Sequence, residues 1–279
     1  MERPVITEEE KQVDYSDLFY KPLEPVADEL LRIMEKSPVN PAHATSVFDR
    51  NDILRPGYLA VENGYTRMPD GSGCVATKVE MPGVTPEMIE WWFVWHGVKD
   101  LRYKIWCPTE HYGIHVHPES TKKRYDTSLS WKERNWGTTD VVVENVGNGP
   151  QTMHLTFLSP MEYGYDPELI KNVDVLISAN VQDPETGRKL ITFSHCIRKI
   201  PGGIEYRSHY WQGYHIIDGK PVAVSIPPGG FPMDVMKGNA YHSLVEYSNL
   251  ARILPDLYAK YGKEPDITVD YKKELSVTD

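Results

Sequence analysis

Between about residues 100 and 230, apolar residues gather in short β-rich runs. These are Asp140-Val-Val-Val-Glu-Asn-Val, Met153-His-Leu-Thr-Phe-Leu, Val173-Asp-Val-Leu-Ile-Ser-Ala-Asn-Val, Lys189-Leu-Ile-Thr-Phe-Ser-His-Cys-Ile-Arg, Gly203-Ile-Glu-Tyr-Arg-Ser-His-Tyr-Trp and Pro221-Val-Ala-Val-Ser-Ile. Gly, Pro or Asn clusters separate them, a pattern that predicts an antiparallel meander. Crossover helices are missing, which argues against a doubly wound parallel sheet. Ahead of these runs, Cys74 to Met81 reads as a strand. A helix is predicted over 86–96, where Thr85 is the N-cap, Pro86 the first helical residue, Glu87 an acid in the first turn and Gly97 the stop. Its Trp91, Trp92 and Trp95 fall at helical spacing and are expected to pack in the core.

The period becomes helical again near the C-terminus. A long helix is predicted from about Asn239, bent or restarted at Pro255 and ended by Gly262. At the other end, Pro25 to Lys36 has apolar residues at helical spacing, and Ser37-Pro-Val-Asn-Pro41 ends it. The turn chemistry of Thr66 to Gly73 divides the chain into a small, mostly helical region, 1–75, and a larger domain, 76–279. A curved antiparallel sheet closed over by one long C-terminal helix is an α+β helix-grip arrangement, which leaves a cavity between helix and sheet.

Composition narrows the partners. The chain has 279 residues, 40% of them hydrophobic, enough for a sizeable core. Thirty basic against 40 acidic residues give a net charge of −10, with no basic run or stripe, so nucleic acid and anionic membranes are poor partners and small molecules better ones. No apolar leader or spanning stretch is seen, and Cys74, Cys107 and Cys196 form no CxxC, so a cytoplasmic, reducing setting is expected. Seventeen tyrosines imply many buried hydroxyls that need partners, in packing or around a phenolic ligand.

Candidate chemistry begins with His242 and Glu246, four residues apart and so on one helix face. Three His-x3-acid pairs occur; His96/Asp100 straddles Gly97, His115/Glu119 contains Pro118, and this one alone lies in an uninterrupted helical pattern. It reads either as a solvated surface contact or as half a metal site. Glu144, alone in a valine run, either points to solvent or faces a cavity where a cation or strong hydrogen bonds offset its burial. His195 inside its strand is structural or part of a site. Upstream, His115 and His117 alternate, so a strand would place them on one face; His111 is expected in a loop after Pro108, and Cys107 is a further possible ligand.

Taken in order, several motifs form a set: Met-Pro-Gly-Val-Thr-Pro-Glu-Met-Ile-Glu-Trp-Trp-Phe-Val-Trp-His (81–96), Arg-Tyr-x-x-Trp-x-Pro-x-x-His ending at His111, Val-Glu-Asn-Val-Gly around Glu144, His195-x-x-Arg198, Gly-x-Glu-x-Arg-Ser-x-Tyr-Trp (203–211) and His242-x3-Glu246. The set, over roughly 75–262, resembles the 2,4-diacetylphloroglucinol hydrolase and phloretin hydrolase family. The resemblance implies a zinc-dependent hydrolase of the carbon–carbon bond between a phloroglucinol ring and its acyl group. It also implies a Bet v 1-like helix-grip catalytic domain and an N-terminal region that takes part in dimerisation. Carried over, the Zn²⁺ ligands are His111, Glu144, His242 and Glu246, while Tyr103, His195 and Tyr210 fall where the family contacts substrate or moves protons. His195 is expected to supply the proton, its free pKa lying near working pH. One departure is His209, where the family pattern calls for Arg; another is a slightly longer stretch between His111 and Glu144. Two other readings remain open at this point: a non-haem iron dioxygenase built on His115, His117 and a carboxylate, and a non-catalytic helix-grip carrier of phenolic ligands.

Overall fold

The described residues form ten strands, the apolar runs among them: β1 (Gly64–Arg67), β2 (Gly73–Pro82), β3 (His111–Val116), β4 (Thr139–Glu144), β5 (Gln151–Leu158), β6 (Val175–Gln182), β7 (Lys189–Ile200), β8 (Gly203–Gln212), β9 (Tyr214–Ile217) and β10 (Lys220–Ala223). Among the described residues seven α-helices accompany them: α1 (Asp28–Met34), α2 (Pro86–Trp95), α3 (Asp100–Lys104), α4 (Thr121–Arg124), α5 (Trp131–Asn135), α6 (Pro167–Ile170) and α7 (Met233–Tyr261). The structure is a computed structural model and describes residues 3–147 and 149–269. Eight strands form one antiparallel sheet in the order β1-β2-β8-β7-β6-β5-β4-β3; β9 and β10 make a separate hairpin. No described helix is long and apolar enough to cross a membrane.

Helix α7 lies against the inner face of this sheet. Met236, Ala240, Leu244, Tyr247, Leu250, Leu254, Leu257 and Tyr261 recur every three or four residues along it and are all buried. Beside them α2 contributes Trp91 and Trp95, stacked at 4.9 Å, and Trp92, edge-on to Trp106 at 5.7 Å. The expected helix-grip architecture is therefore present. The outer face is covered too, by a second cluster that includes Val47, Ile53, Leu54, Tyr163, Tyr165 and Trp211. That double cover explains why β8 is buried at every position after its first.

Several elements differ from the sequence expectation. Helix α7 starts at Met233 instead of about 239 and continues through Pro255. A proline inside a helix removes one hydrogen bond, and the apolar stripe on both sides of Pro255 holds the axis together. The run at 221 pairs only with β9, outside the main sheet. Strand β3 was not legible, and His111, expected in a loop, is its first residue. Strand β1 pairs with β2 from Gly64 to Arg67, so the sheet reaches back across the Thr66–Gly73 turn, and the 75/76 division falls within β2.

Candidate metal centre and substrate cavity

Three elements bring the candidate donors together: β3, β4 and α7. His111 and Glu144 face each other in the β3–β4 register, and the register shifts between His111 and Gly113. In a regular strand His111 and Ile114, three apart, would face opposite sides of the sheet. The bulge resets the alternation, so His111 shares the inner face with Ile114 while His115 is exposed. Alternation along β4 puts Asp140, Val142 and Glu144 on the inner face as well. From the helix side, His242 and Glu246 project one turn apart.

The donor atoms converge. His111 Nε2 lies 3.7 Å from Glu144 Oε2 and 3.5 Å from Glu246 Oε2. His242 Nε2 lies 4.0 Å from Glu144 Oε2 and 3.7 Å from Glu246 Oε2. Adjacent ligands of one tetrahedral zinc ion, each at about 2.0–2.1 Å from it, stand roughly 3.3 Å apart, so small side-chain adjustments would bring these donors onto one cation. His111 Nε2 is buried and has no hydrogen-bond partner. An orphaned imidazole nitrogen between two carboxylates fits a divalent cation.

Each imidazole is aimed by its other nitrogen. His111 Nδ1 is 3.0 Å from the Tyr103 carbonyl, to which it donates, and its ring stacks on the Tyr103 ring at 3.8 Å. His242 Nδ1 donates to Glu110 Oε2 at 2.5 Å. Such partners fix the tautomer and leave Nε2 as the ligand atom. Glu110 was not singled out in the sequence; its adjacency to His111 was the only available signal. The Tyr103 hydroxyl donates to Glu144 Oε2. Trp106 and Asn249 tie the segment after α3 to α7, through Trp106 Nε1–H to the Glu246 carbonyl at 3.0 Å and Asn249 Nδ2–H to the Trp106 carbonyl at 2.8 Å.

Electrostatics mark the cluster as short of positive charge. Burial, aided by His242, pushes His111 down to about 3, and burial pushes the Glu246 carboxyl up to about 7. Burial alone would depress His242 as well, but Glu246, Glu110 and Glu144 outweigh it and push His242 up to about 9. A bound dication would compensate the carboxylates directly.

Cys107 also has its sulfur within 4.8 Å of donor atoms of His111 and His242. Its thiol lies 3.7 Å from Glu110 Oε2, the oxygen that His242 Nδ1 contacts. Burial and Glu110 push its pKa well above the usual thiol value. Glu144 and Glu246 face both Nε2 atoms, at 3.5–4.0 Å. His117 is 5.4 Å from His154, ring to ring, and neither it nor His115 lines the cavity at the donors.

A small chamber of about 70 Å³ adjoins the donors and is lined by Tyr103, Glu144, His195, Tyr210, Asn239, His242, Glu246 and Tyr247, among others. Glu144, Tyr210 and Asn239 also line a larger outer chamber of about 270 Å³, whose walls include Met153, Leu190, Phe231 and Val235. Tyr210 exchanges a hydrogen bond with Tyr247 at 2.5 Å and accepts one from Ser243 at 3.1 Å. His195 Nδ1 is 2.9 Å from Ser208 Oγ. The expectation of a near-neutral His195 gives way here: burial, with His209 adding to it, pushes its pKa down to about 3, so the ring is neutral at pH 7. His209 itself lies on the outer face of β8, opposite Tyr210, and does not line either chamber. Asn239 and Tyr247 escaped the sequence reading because a helix pattern shows which residues share a face and not which of them border a void.

Comparison with known proteins shows the family of the chain. The profile of the DAPG hydrolase PhiG domain matches residues 45–259. The phloretin hydrolase of Eubacterium ramulus is 33% identical over 260 residues, covering 91% of this chain and 93% of that protein. A 2,4-diacetylphloroglucinol hydrolase of a Pseudomonas species is 31% identical over 232 residues, covering 78% of this chain and 77% of that protein. A crystal structure of Ara h 8.0201 aligns with a TM-score of 0.42 at 11% identity, over 67% of this chain and 99% of that one. With the profile spanning all of β2 to β10 and the relatives extending over most of both chains, this protein belongs to the DAPG hydrolase family.

Proposed function

We propose that the protein is a zinc-dependent hydrolase that cleaves the carbon–carbon bond between a phloroglucinol-type ring and its acyl substituent. The observation that carries the proposal is the convergence of His111, Glu144, His242 and Glu246, within 3.5–4.0 Å of one another across the imidazole–carboxylate pairs, at one end of a cavity in a chain of this family. Two neutral imidazoles and two carboxylates balance a dication, and nitrogen and oxygen ligands suit a Lewis acid without redox chemistry. Zinc bound there would supply polarisation of the acyl carbonyl and a water of lowered pKa.

The remaining roles belong to side chains of the chamber. Tyr210, held by Tyr247 and Ser243, and Tyr103, held by Glu144, are placed to bind phenolic oxygens and orient the ring. Asn239 Oδ1, buried without a partner, is an acceptor for a ring hydroxyl. The reaction adds water across the bond: hydroxide to the acyl carbon, a proton to the ring carbon. Alternating ring hydroxyls allow a keto tautomer at that carbon, and the electron pair of the broken bond passes into the ring. His195 remains the choice for moving that proton. Being neutral, it acts as a relay, with Nδ1 against Ser208 and Nε2 as the other proton-carrying atom.

Within the same proposal the chain works as a cytoplasmic homodimer, with the 1–75 region at the subunit interface. Light scattering on the purified chain reads the mass directly. The reaction is tested by incubating metal-loaded and chelator-stripped protein with phloretin and with diacetylphloroglucinol and separating the products by chromatography. Metal-dependent release of the deacylated ring supports the proposal, and intact substrates with both preparations overturn it.

A further inference from the structure

The His115-x-His117 pair, conspicuous in the sequence and unused by the metal centre, has a third histidine beside it. His115 pairs with Val141 in the β3–β4 register, and Val141 pairs with His154 in the β4–β5 register. His115 and His154 therefore flank one valine on the same face of the sheet. That face is the outer one, because Met153 and Leu155, the neighbours of His154, line the chambers on the other side. His117 extends the ladder beyond β3 through its N–H to the Thr139 carbonyl at 2.9 Å, and two residues on from His115 it returns to the outer face. Its ring centre lies 5.4 Å from that of His154, with the planes inclined at 72°. The metal centre supplies a yardstick: there the rings of His111 and His242, whose Nε2 atoms face the same two carboxylates, are also 5.4 Å apart. Zinc–nitrogen bonds of about 2.0–2.1 Å put each ring centre roughly 3.2 Å from the ion, so two rings on one tetrahedral ion stand roughly 5.2 Å apart.

We propose that His115, His117 and His154 form a second, peripheral cation site on the outer face of the sheet, for a borderline divalent ion such as Zn²⁺, Ni²⁺ or Cu²⁺. It is separate from the metal centre, which lies across the sheet on the inner face, and it does not depend on the reaction assigned there. Three neutral imidazoles are a set that zinc accepts with water in the fourth position. Imidazole nitrogen also selects these ions over Mg²⁺ and Ca²⁺, which take oxygen ligands. Burial first, and then His117 and His115, push the His154 pKa below the usual imidazole value, so the three rings act on one another. Coordination asks little rearrangement. His115 is exposed, and no packing opposes a turn of its ring towards the other two. His117 Nδ1 accepts the Glu119 N–H at a long 3.4 Å, and binding through Nε2 gives up that one contact. With no carboxylate in the set, the charge of the ion is left uncompensated. The site therefore holds metal more weakly than the centre, fills when metal is in excess and empties on desalting.

The test uses the full chain without an affinity tag, zinc-loaded and desalted, then brought to equilibrium by dialysis against a series of free zinc concentrations. The wild type is expected to take up one further zinc per chain, which a second desalting removes. His115→Gln, His117→Gln and His154→Gln should each weaken that uptake by roughly tenfold or more, since even residues one step behind a metal ligand contribute about that much. All three should keep the tightly held zinc and the wild-type cleavage rate. His43→Gln, which changes an exposed histidine elsewhere, is the control and should leave the uptake unchanged. No further zinc in the wild type, wild-type uptake in any of the three variants, or an equal loss in His43→Gln overturns the proposal. If the desalted wild type holds no zinc at all, the reading of the metal centre fails by itself. Uptake from excess zinc that depends on the three histidines then still upholds the peripheral site, and uptake independent of them ends it.

Discussion

Glu110 offers a sharp test of how the metal centre is organised, because it touches the proposed cation only through another residue. Its Oε2 receives the Nδ1–H of His242 at 2.5 Å, while His242 is 5% exposed. Glu110→Ala would leave that N–H buried without an acceptor and remove the charge that holds the ring. Outer partners of metal-bound histidines contribute about 10- to 100-fold to metal affinity, or about 1.4–2.8 kcal/mol. Glu110→Gln restores an acceptor but not the charge. Since charge-assisted hydrogen bonds are about twice as strong as neutral ones, it should forfeit roughly half of that free energy, a loss of about 3- to 10-fold. The measurement is zinc affinity by competition with a chromophoric chelator, with thermal unfolding of the metal-free proteins as a check that both variants fold alike. The order wild type, then Gln, then Ala is expected. Affinities within twofold for all three would show that Glu110 does not orient His242, and the reasoning from the 2.5 Å contact would fall.

Two further predictions concern stability. His209 is buried without a hydrogen-bond partner for either ring nitrogen, and burial depresses its pKa to about 4, against about 6.5 when unfolded. As pH falls through 6.5 the unfolded chain takes up the proton first, so His209 costs the native state stability between pH 6.5 and 4. His209→Leu should therefore gain on the wild type by on the order of 1.4 kcal/mol per pH unit across that window, read from urea unfolding at several pH values. A difference that does not change with pH counts against a buried neutral His209. Arg124 and Asp140 form a buried ion pair at 3.0 Å, so Asp140→Asn leaves the guanidinium uncompensated. A loss of about 3–5 kcal/mol in urea unfolding is expected, and a loss under about 1 kcal/mol would mean that the charge of Asp140 is not needed there.

How far the sequence reaches depends on whether a residue's role is set locally. The 3.6-residue stripe of α7 and the valine run of β4 are local patterns, and they led to His242, Glu246 and Glu144 before any contact was known. His111 is harder. Its strand is interrupted by the bulge at its start, and alternation made His115 and His117 more conspicuous although His115 is exposed. Glu110 lies 132 residues from the histidine it holds, and no spacing rule spans such a distance. The downward shift of the His195 pKa was not legible for a related reason. A free imidazole has the right pKa, but the ring is enclosed by Phe193, Tyr206, Tyr210 and Tyr247, and that enclosure exists only in the folded chain. Short strands such as β1 and β9, four residues each, carry too few positions to show a period.

The central claim is that His111, Glu144, His242 and Glu246 hold one metal ion on which carbon–carbon cleavage depends. It is tested most directly by measuring zinc per chain and phloretin cleavage together, in the wild type, His242→Ala and Glu246→Ala. The account predicts one zinc per wild-type chain with release of the ring, and joint loss of metal and cleavage in both variants. Full zinc content and full activity in either variant would contradict it.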